Sequence, residues 1–168
     1  MSILKKPIIS LFIIVFFSLN SQATDLLHKI GVGYQNTKLP ALSTRYYFQP
    51  TLSVTISSGF TTQQDHTQFL LEGKIQKVLF MEKYLHFFIG AGLGLINENI
   101  KGNNLSIPNV KNNGFKIEGT MGVEFFLVNL PSLGFLLETG LSLQSKSGNI
   151  QVNTLAHIPF KAGVYFYF

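Results

Sequence analysis

The sequence predicts an all-β fold: eight antiparallel strands in up-and-down order, closed into a transmembrane β-barrel. Three observations carry this expectation. From residue 28 onward, apolar and polar residues alternate with period two, the periodicity of a strand. The connections alternate between tight turns and longer polar stretches, as a membrane barrel requires. The chain is also hydrophobic and aromatic for its charge: 46% hydrophobic residues, 16 Phe and 6 Tyr, against 12% charged residues. A water-soluble surface normally carries about a quarter or more charged residues.

The strands are expected at 28–35, 43–49, 51–60, 67–80, 84–97, 114–127, 134–145 and 157–168. In the first, Ile30, Val32 and Tyr34 share a face; in the second, Thr44, Tyr46 and Phe48 do. The third aligns Leu52, Val54, Ile56 and Phe60, and the fourth Phe69, Leu71, Ile75 and Leu79. The fifth and sixth present Leu85, Phe87, Ile89, Leu93 and Leu95, then Phe115, Ile117, Met121, Val123 and Phe125. The seventh carries Phe135, Leu137, Leu141 and Leu143, and the last Ile158, Phe160, Val164, Phe166 and Phe168. Tight turns fall at 49–51, 81–83 and 129–132. Longer polar connections are expected at 36–42, 61–66, 101–113 and 146–154.

Alternation leaves open which face points outward, because a soluble carrier barrel alternates too. Volume decides for apolar-out: eight strands enclose an interior that side chains only just fill, and the large apolar side chains are too many for it. Glycines gather on the opposite face, where crowding is greatest. Aromatic residues form two rows, Phe48, Phe80, Tyr84, Phe125, Phe135, Phe166 and Phe168 beside the tight turns and Tyr34, Phe60, Phe69 and Phe115 toward the long connections, as interfacial girdles do. Lys77 falls on the outward phase of the fourth strand, near enough to a boundary for its ammonium to reach headgroups.

Residues 1–23 read as a secretory signal peptide. Lys5 and Lys6 precede the apolar run Ile8–Leu19, and Ser21 and Ala23 supply a small-x-small cleavage site. Cleavage after Ala23 leaves 24–168 as the barrel domain, and the loss of the two lysines lowers the net charge from +5 to +3. The absence of cysteine excludes a disulfide scaffold, a thiolate metal site, a cysteine nucleophile and a lipoprotein anchor.

The chain ends Lys161-Ala162-Gly163-Val164-Tyr165-Phe166-Tyr167-Phe168. Lys161, Gly163, Phe166 and Phe168 resemble the C-terminal β-signal of bacterial outer-membrane barrels, which the barrel assembly machinery reads. Taken whole, residues 24–168 resemble the small eight-stranded barrels typified by the membrane domain of OmpA and by OmpX. The resemblance implies an exported, monomeric protein of the Gram-negative outer membrane, in contact with lipid and lipopolysaccharide. Nine charged residues fall on the inward phase: Lys29, Arg45, Glu72, Lys74, Lys116, Glu118, Glu124, Glu138 and Lys161. Buried charges are costly unless paired, so they are expected to form a near-neutral network that closes the lumen.

The sequence shows no catalytic, cofactor or metal constellation. Small outer-membrane barrels include lipid A-modifying enzymes, but no Ser lies two residues after any of His28, His66, His86 or His157, so the deacylase motif is missing. The Gly90–Gly94 run sits in a strand with no helix after it and is no phosphate loop. The cations are few and inward, which argues against nucleic acid. The expected role is structural or surface-interacting, adhesin- or antigen-like, through the connections 101–113 and 146–154. The alternatives are a narrow porin-like channel and a lipid A-modifying enzyme.

Overall fold

The computed structural model describes residues 25–36, 39–63, 66–100, 110–146, 149–154 and 160–168. They form one antiparallel sheet of β1 (Ile30–Asn36), β2 (Pro40–Gln49), β3 (Leu52–Gln63), β4 (His66–Glu82), β5 (Leu85–Ile100), β6 (Val110–Leu127), β7 (Leu130–Lys146), β8 (Asn149–Thr154) and β9 (Lys161–Tyr167). Strands β1 to β7 pair in chain order. β8 and β9 both pair with β7 and are two segments of one eighth stave. β9 also pairs with β1, Gly31 opposite Tyr167 and Asn36 opposite Ala162, which closes the barrel. Two main-chain bonds between Ile30 and Phe168 finish the seam, at 3.2 and 3.1 Å.

The alternation sets the walls as the sequence predicts. Outward side chains include Val32, Leu42, Ile56, Ile75, Leu93, Ile117 and Leu141, all exposed. The inward ones between them are buried. Two β-bulges, at Phe48 and at Leu79, put neighbouring residues on the outside near the tight turns. Leu79 and Phe80 are both exposed as a result. Lys77 points outward and pairs with Leu52, the first residue of β3 after the tight turn.

All four long connections are shorter than predicted. Strands run into 36–42, 61–66 and 146–154, leaving only 37–39, 64–65 and 147–148 between them, and 101–113 shrinks to 101–109. Polar composition made these segments read as loops. The ladder continues through them because cross-strand polar pairs replace apolar packing: Thr62 with Thr67 at 3.2 Å, and Asn97 donating to Asn113 at 2.8 Å. The predicted surface connection 146–154 is therefore largely the strand β8. The predicted last strand, 157–168, starts at Lys161, and His157 and Pro159 lie outside the described residues. The 1–23 segment and Ala23 also lie outside them.

Interior space is tight enough to demand glycine. A Cβ on Gly122 would stand 2.3 Å from the Leu137 carbonyl oxygen and 2.7 Å from the Phe88 ring. Backbone cannot yield as a flexible side chain can. Gly122→Val is expected to destabilise the barrel by about 3 kcal/mol, seen as a lower urea midpoint in micelles, whereas Ala91→Val on the outward phase of β5 leaves the midpoint within about 0.5 kcal/mol of the parent.

Candidate functional site: an ion-paired lumen

The lumen is filled in three layers. At the tight-turn end lies an apolar and aromatic cluster of Leu26, Tyr47, Val78, Phe88, Phe126, Leu136, Tyr165 and Tyr167. At the other end Leu39, Leu70 and Ile96 pack together. Between them are charges with almost no solvent contact.

Glu72 on β4 is the hub. Lys116 donates a hydrogen bond to one of its oxygens, and Lys161 donates to the other at 3.0 Å. Lys74 stands 3.7 Å from it. Lys74 donates to both oxygens of Glu138, at 2.7 and 3.0 Å. Lys116 also pairs with Glu118 at 2.8 Å, and Lys161 lies 3.6 Å from Glu138. Three lysines and three glutamates from β4, β6, β7 and β9 thus form one cluster.

Arg45 and Glu124 form a second pair at 2.9 Å. Tyr47 and Tyr167 donate their hydroxyls to Glu124 at 3.0 and 2.5 Å. The Arg45 guanidinium lies 4.6 Å from the Tyr165 ring centre, a cation–π contact. A relay joins the clusters: Arg45 Nε donates to Thr55, Thr55 to Gln76, and Gln76 to Glu138, at 3.0, 2.8 and 3.2 Å. Counted across both, Arg45, Lys74, Lys116 and Lys161 face Glu72, Glu118, Glu124 and Glu138, so the formal charge is zero.

The glycine lane of β5 makes room for this. A Cβ on Gly92 would meet the Lys74 stem at 2.5 Å and the Glu118 stem at 3.1 Å. Both stems lie flat across the strand to bring their heads together.

The structure brings together eight of the nine predicted lumen charges. Lys29 is the departure. It precedes β1, is half-buried, and has no ion pair among the described residues. The chain turns at His28, whose φ is 60°, and Leu26 packs under the mouth instead. Of the terminal-signal residues, Lys161 points into the lumen, while Phe166 and Phe168 are exposed on the outside.

The alternation already places Tyr47, Phe88, Tyr165 and Tyr167 on the inward face; sequence reading missed Leu26, Val78, Phe126 and Leu136 at one end of the lumen and Leu39, Leu70 and Ile96 at the other. Phe126 and Leu136 share the inward parity of Glu124 and Glu138, but the runs Phe125-Phe126-Leu127 and Phe135-Leu136-Leu137 hide that parity. The described histidines form no nucleophile–base pair. His28 contacts the Tyr46 hydroxyl at 3.3 Å, His66 pairs with Glu98 at 2.6 Å, and His86 is buried against Phe126 with both ring nitrogens unpartnered. Among the described residues no cluster of three or more metal-ligating groups occurs.

Charges inside and apolar side chains outside define the class: a small closed eight-stranded antiparallel barrel of inverted polarity. The N-terminal β-barrel domain of Pseudomonas aeruginosa OprF has this fold, with a TM-score of 0.58, 15% sequence identity, and coverage of 83% of this chain and 96% of that one. Neisserial surface protein A (NspA) is similar at a TM-score of 0.48, with 12% identity over 83% of this chain and 94% of that one. No protein-family model and no curated protein matches the sequence.

Removing one charge leaves its partners buried and unpaired, which costs about 3–5 kcal/mol. Glu72→Leu is expected to lose that much in urea unfolding followed by circular dichroism, because three lysines depend on it. Adding Lys116→Met to Glu72→Leu is expected to recover part of the loss.

Proposed function

We propose that the chain is an outer-membrane barrel whose lumen is sealed, and that its role is structural or surface-interacting. The observation that carries this reading is the continuous apolar exterior wrapped around a charge-neutral, side-chain-filled interior. A closed ring leaves no open edge where its staves pair, and so suits hydrocarbon. Outward aromatics stand at both ends of the wall, with Phe48, Phe80, Phe125, Phe166 and Phe168 at one and Tyr34, Phe60, Phe69 and Phe115 at the other. Lys77 near the tight turns can extend its ammonium to headgroups.

Export would use residues 1–23 with cleavage after Ala23, and assembly would use Lys161, Gly163, Phe166 and Phe168 as the signal read by the barrel assembly machinery. Lipid and lipopolysaccharide are then its surroundings. Contact with a host or another surface would fall to the connection 101–109 and the β7–β8 tip.

Leu93 is 66% exposed in the middle of the wall. Leu93→Arg is expected to cost about 2–4 kcal/mol when the protein is folded in a bilayer; no loss there would reject the membrane reading. In planar bilayers the full chain is expected to show no stepwise conductance, because ion pairs and an apolar layer at each end block the lumen. Stable single-channel steps would favour the channel instead. Deleting 101–109 is expected to leave the barrel folded while removing surface binding, read by whole-cell adhesion.

A further inference from the structure

The outer wall of the barrel is grooved across β4, β5 and β6. Leu71, Leu95 and Phe115 form one outward row, each opposite the next across the ladder. Gly73, Leu93 and Ile117 form the row two residues nearer the tight turns. Between the rows lies a hollow of about 570 Å³, open to the outside, a size that suits a small-molecule site. Its floor is Gly94 and Lys116, whose ammonium points away into the lumen. Main chain there is paired within the ladder, so the hollow asks for no hydrogen bond. Gly73 holds it open. Lumen glycines such as Gly92 stand under neighbours that a Cβ would strike, whereas a Cβ on Gly73 would meet nothing within 4 Å. Crowding does not account for a glycine there.

Two residues further toward the long connections, about 7 Å along the strands, the outward row changes character. Phe69 stands opposite Asn97, and Asn97 opposite Asn113. Asn97 donates a hydrogen bond to Asn113 at 2.8 Å, and both are exposed. Phe69 and its neighbour Phe60 belong to the aromatic row at that end of the wall. The amide pair is therefore level with the membrane interface, and the groove lies below it in the hydrocarbon. The outward residues from groove to amides are Leu, Ile, Phe, Gly and Asn, with no charge among them.

We propose that this face of β4–β6 is a docking site for a glycolipid: one acyl chain lies in the groove, and a neutral sugar headgroup meets Asn97 and Asn113. A hollow that is apolar and needs no hydrogen bond takes a hydrocarbon chain. An amide both donates and accepts, as sugar hydroxyls do, whereas a phosphate headgroup calls for cations. A second copy of this chain fits less well, because its convex wall would rest on Leu93 and Leu95 and leave the floor uncovered.

The proposal rests on the membrane reading, and the test separates the two. The full chain in detergent micelles is mixed with equal amounts of dipalmitoyl glucosyl-diacylglycerol and dipalmitoyl phosphatidylethanolamine, which share their acyl chains. Native mass spectrometry counts the lipid it retains. The parent is expected to hold one glucosyl lipid, preferred by about tenfold or more. Gly73→Leu and Gly73→Phe fill the groove and are expected to weaken that retention by about tenfold or more. Gly119→Phe is the control: a Cβ there also meets nothing within 4 Å, and Gly119 lies outside the groove. It is expected to retain the lipid as the parent does, and Asn97→Leu to hold both lipids equally. No retained lipid, no preference in the parent, undiminished retention in both Gly73 variants, equal loss in Gly119→Phe, or a barrel dimer in place of lipid would each overturn the site. The chain has no cysteine, so a Leu141→Cys label, exposed on β7 away from the groove, is unique. Quenching of that label by brominated lipid in nanodiscs supports the membrane reading, and its absence rejects that reading whatever the retention shows.

Discussion

Glu72 projects from one wall of the barrel, and lysines from two other staves and its own reach it. Everything else in the interior follows from that meeting. An eight-stranded ring encloses just enough space for side chains, so each charged head must share its place with an opposite one. Four cations and four carboxylates achieve neutrality. The relay through Thr55 and Gln76 makes the two clusters one polar unit. Such a unit favours a single register, because a slip of one residue would turn its charges outward and the apolar residues inward.

The same crowding explains the glycines. They are not scattered along the strands for flexibility. Gly92 lies beneath the stems of Lys74 and Glu118, and Gly122 beneath Phe88. Where a large side chain crosses the lumen, the opposite strand has no Cβ to give. The apolar layers at either end keep water from the ion pairs, so the pairs act at short range in a poorly screened medium. This combination makes the lumen a strut.

Much of this was legible in the sequence. Period-two alternation assigns Arg45, Glu72, Lys74, Lys116, Glu118, Glu124, Glu138 and Lys161 to one face, and that face is the interior. The departures have physical causes. Lys29 departs from the pattern because the chain turns at His28, just before β1, and leaves its side chain half-buried at the end of the barrel. Residues 146–154 read as loop because Asn, Gln and Ser dominate, yet the ladder needs only main-chain groups and tolerates polar side chains where water or a neighbour satisfies them. Phe126 and Leu136 escaped notice because an apolar residue inside an apolar run carries no parity signal.

The sequence by itself determined the fold class, the sidedness of each strand and the balance of buried charge, because alternation, length and composition are local properties. Only the tertiary structure decided which carboxylate meets which ammonium. Glu72 and Lys161 are 89 residues apart in the chain, and their contact depends on strand stagger around a closed ring. The tertiary structure also decided where the wall is low. The β1–β2 ladder ends at Asn36 and Pro40 while β3 and β4 stay paired to Gln63 and His66, a relation between staves that no single segment encodes.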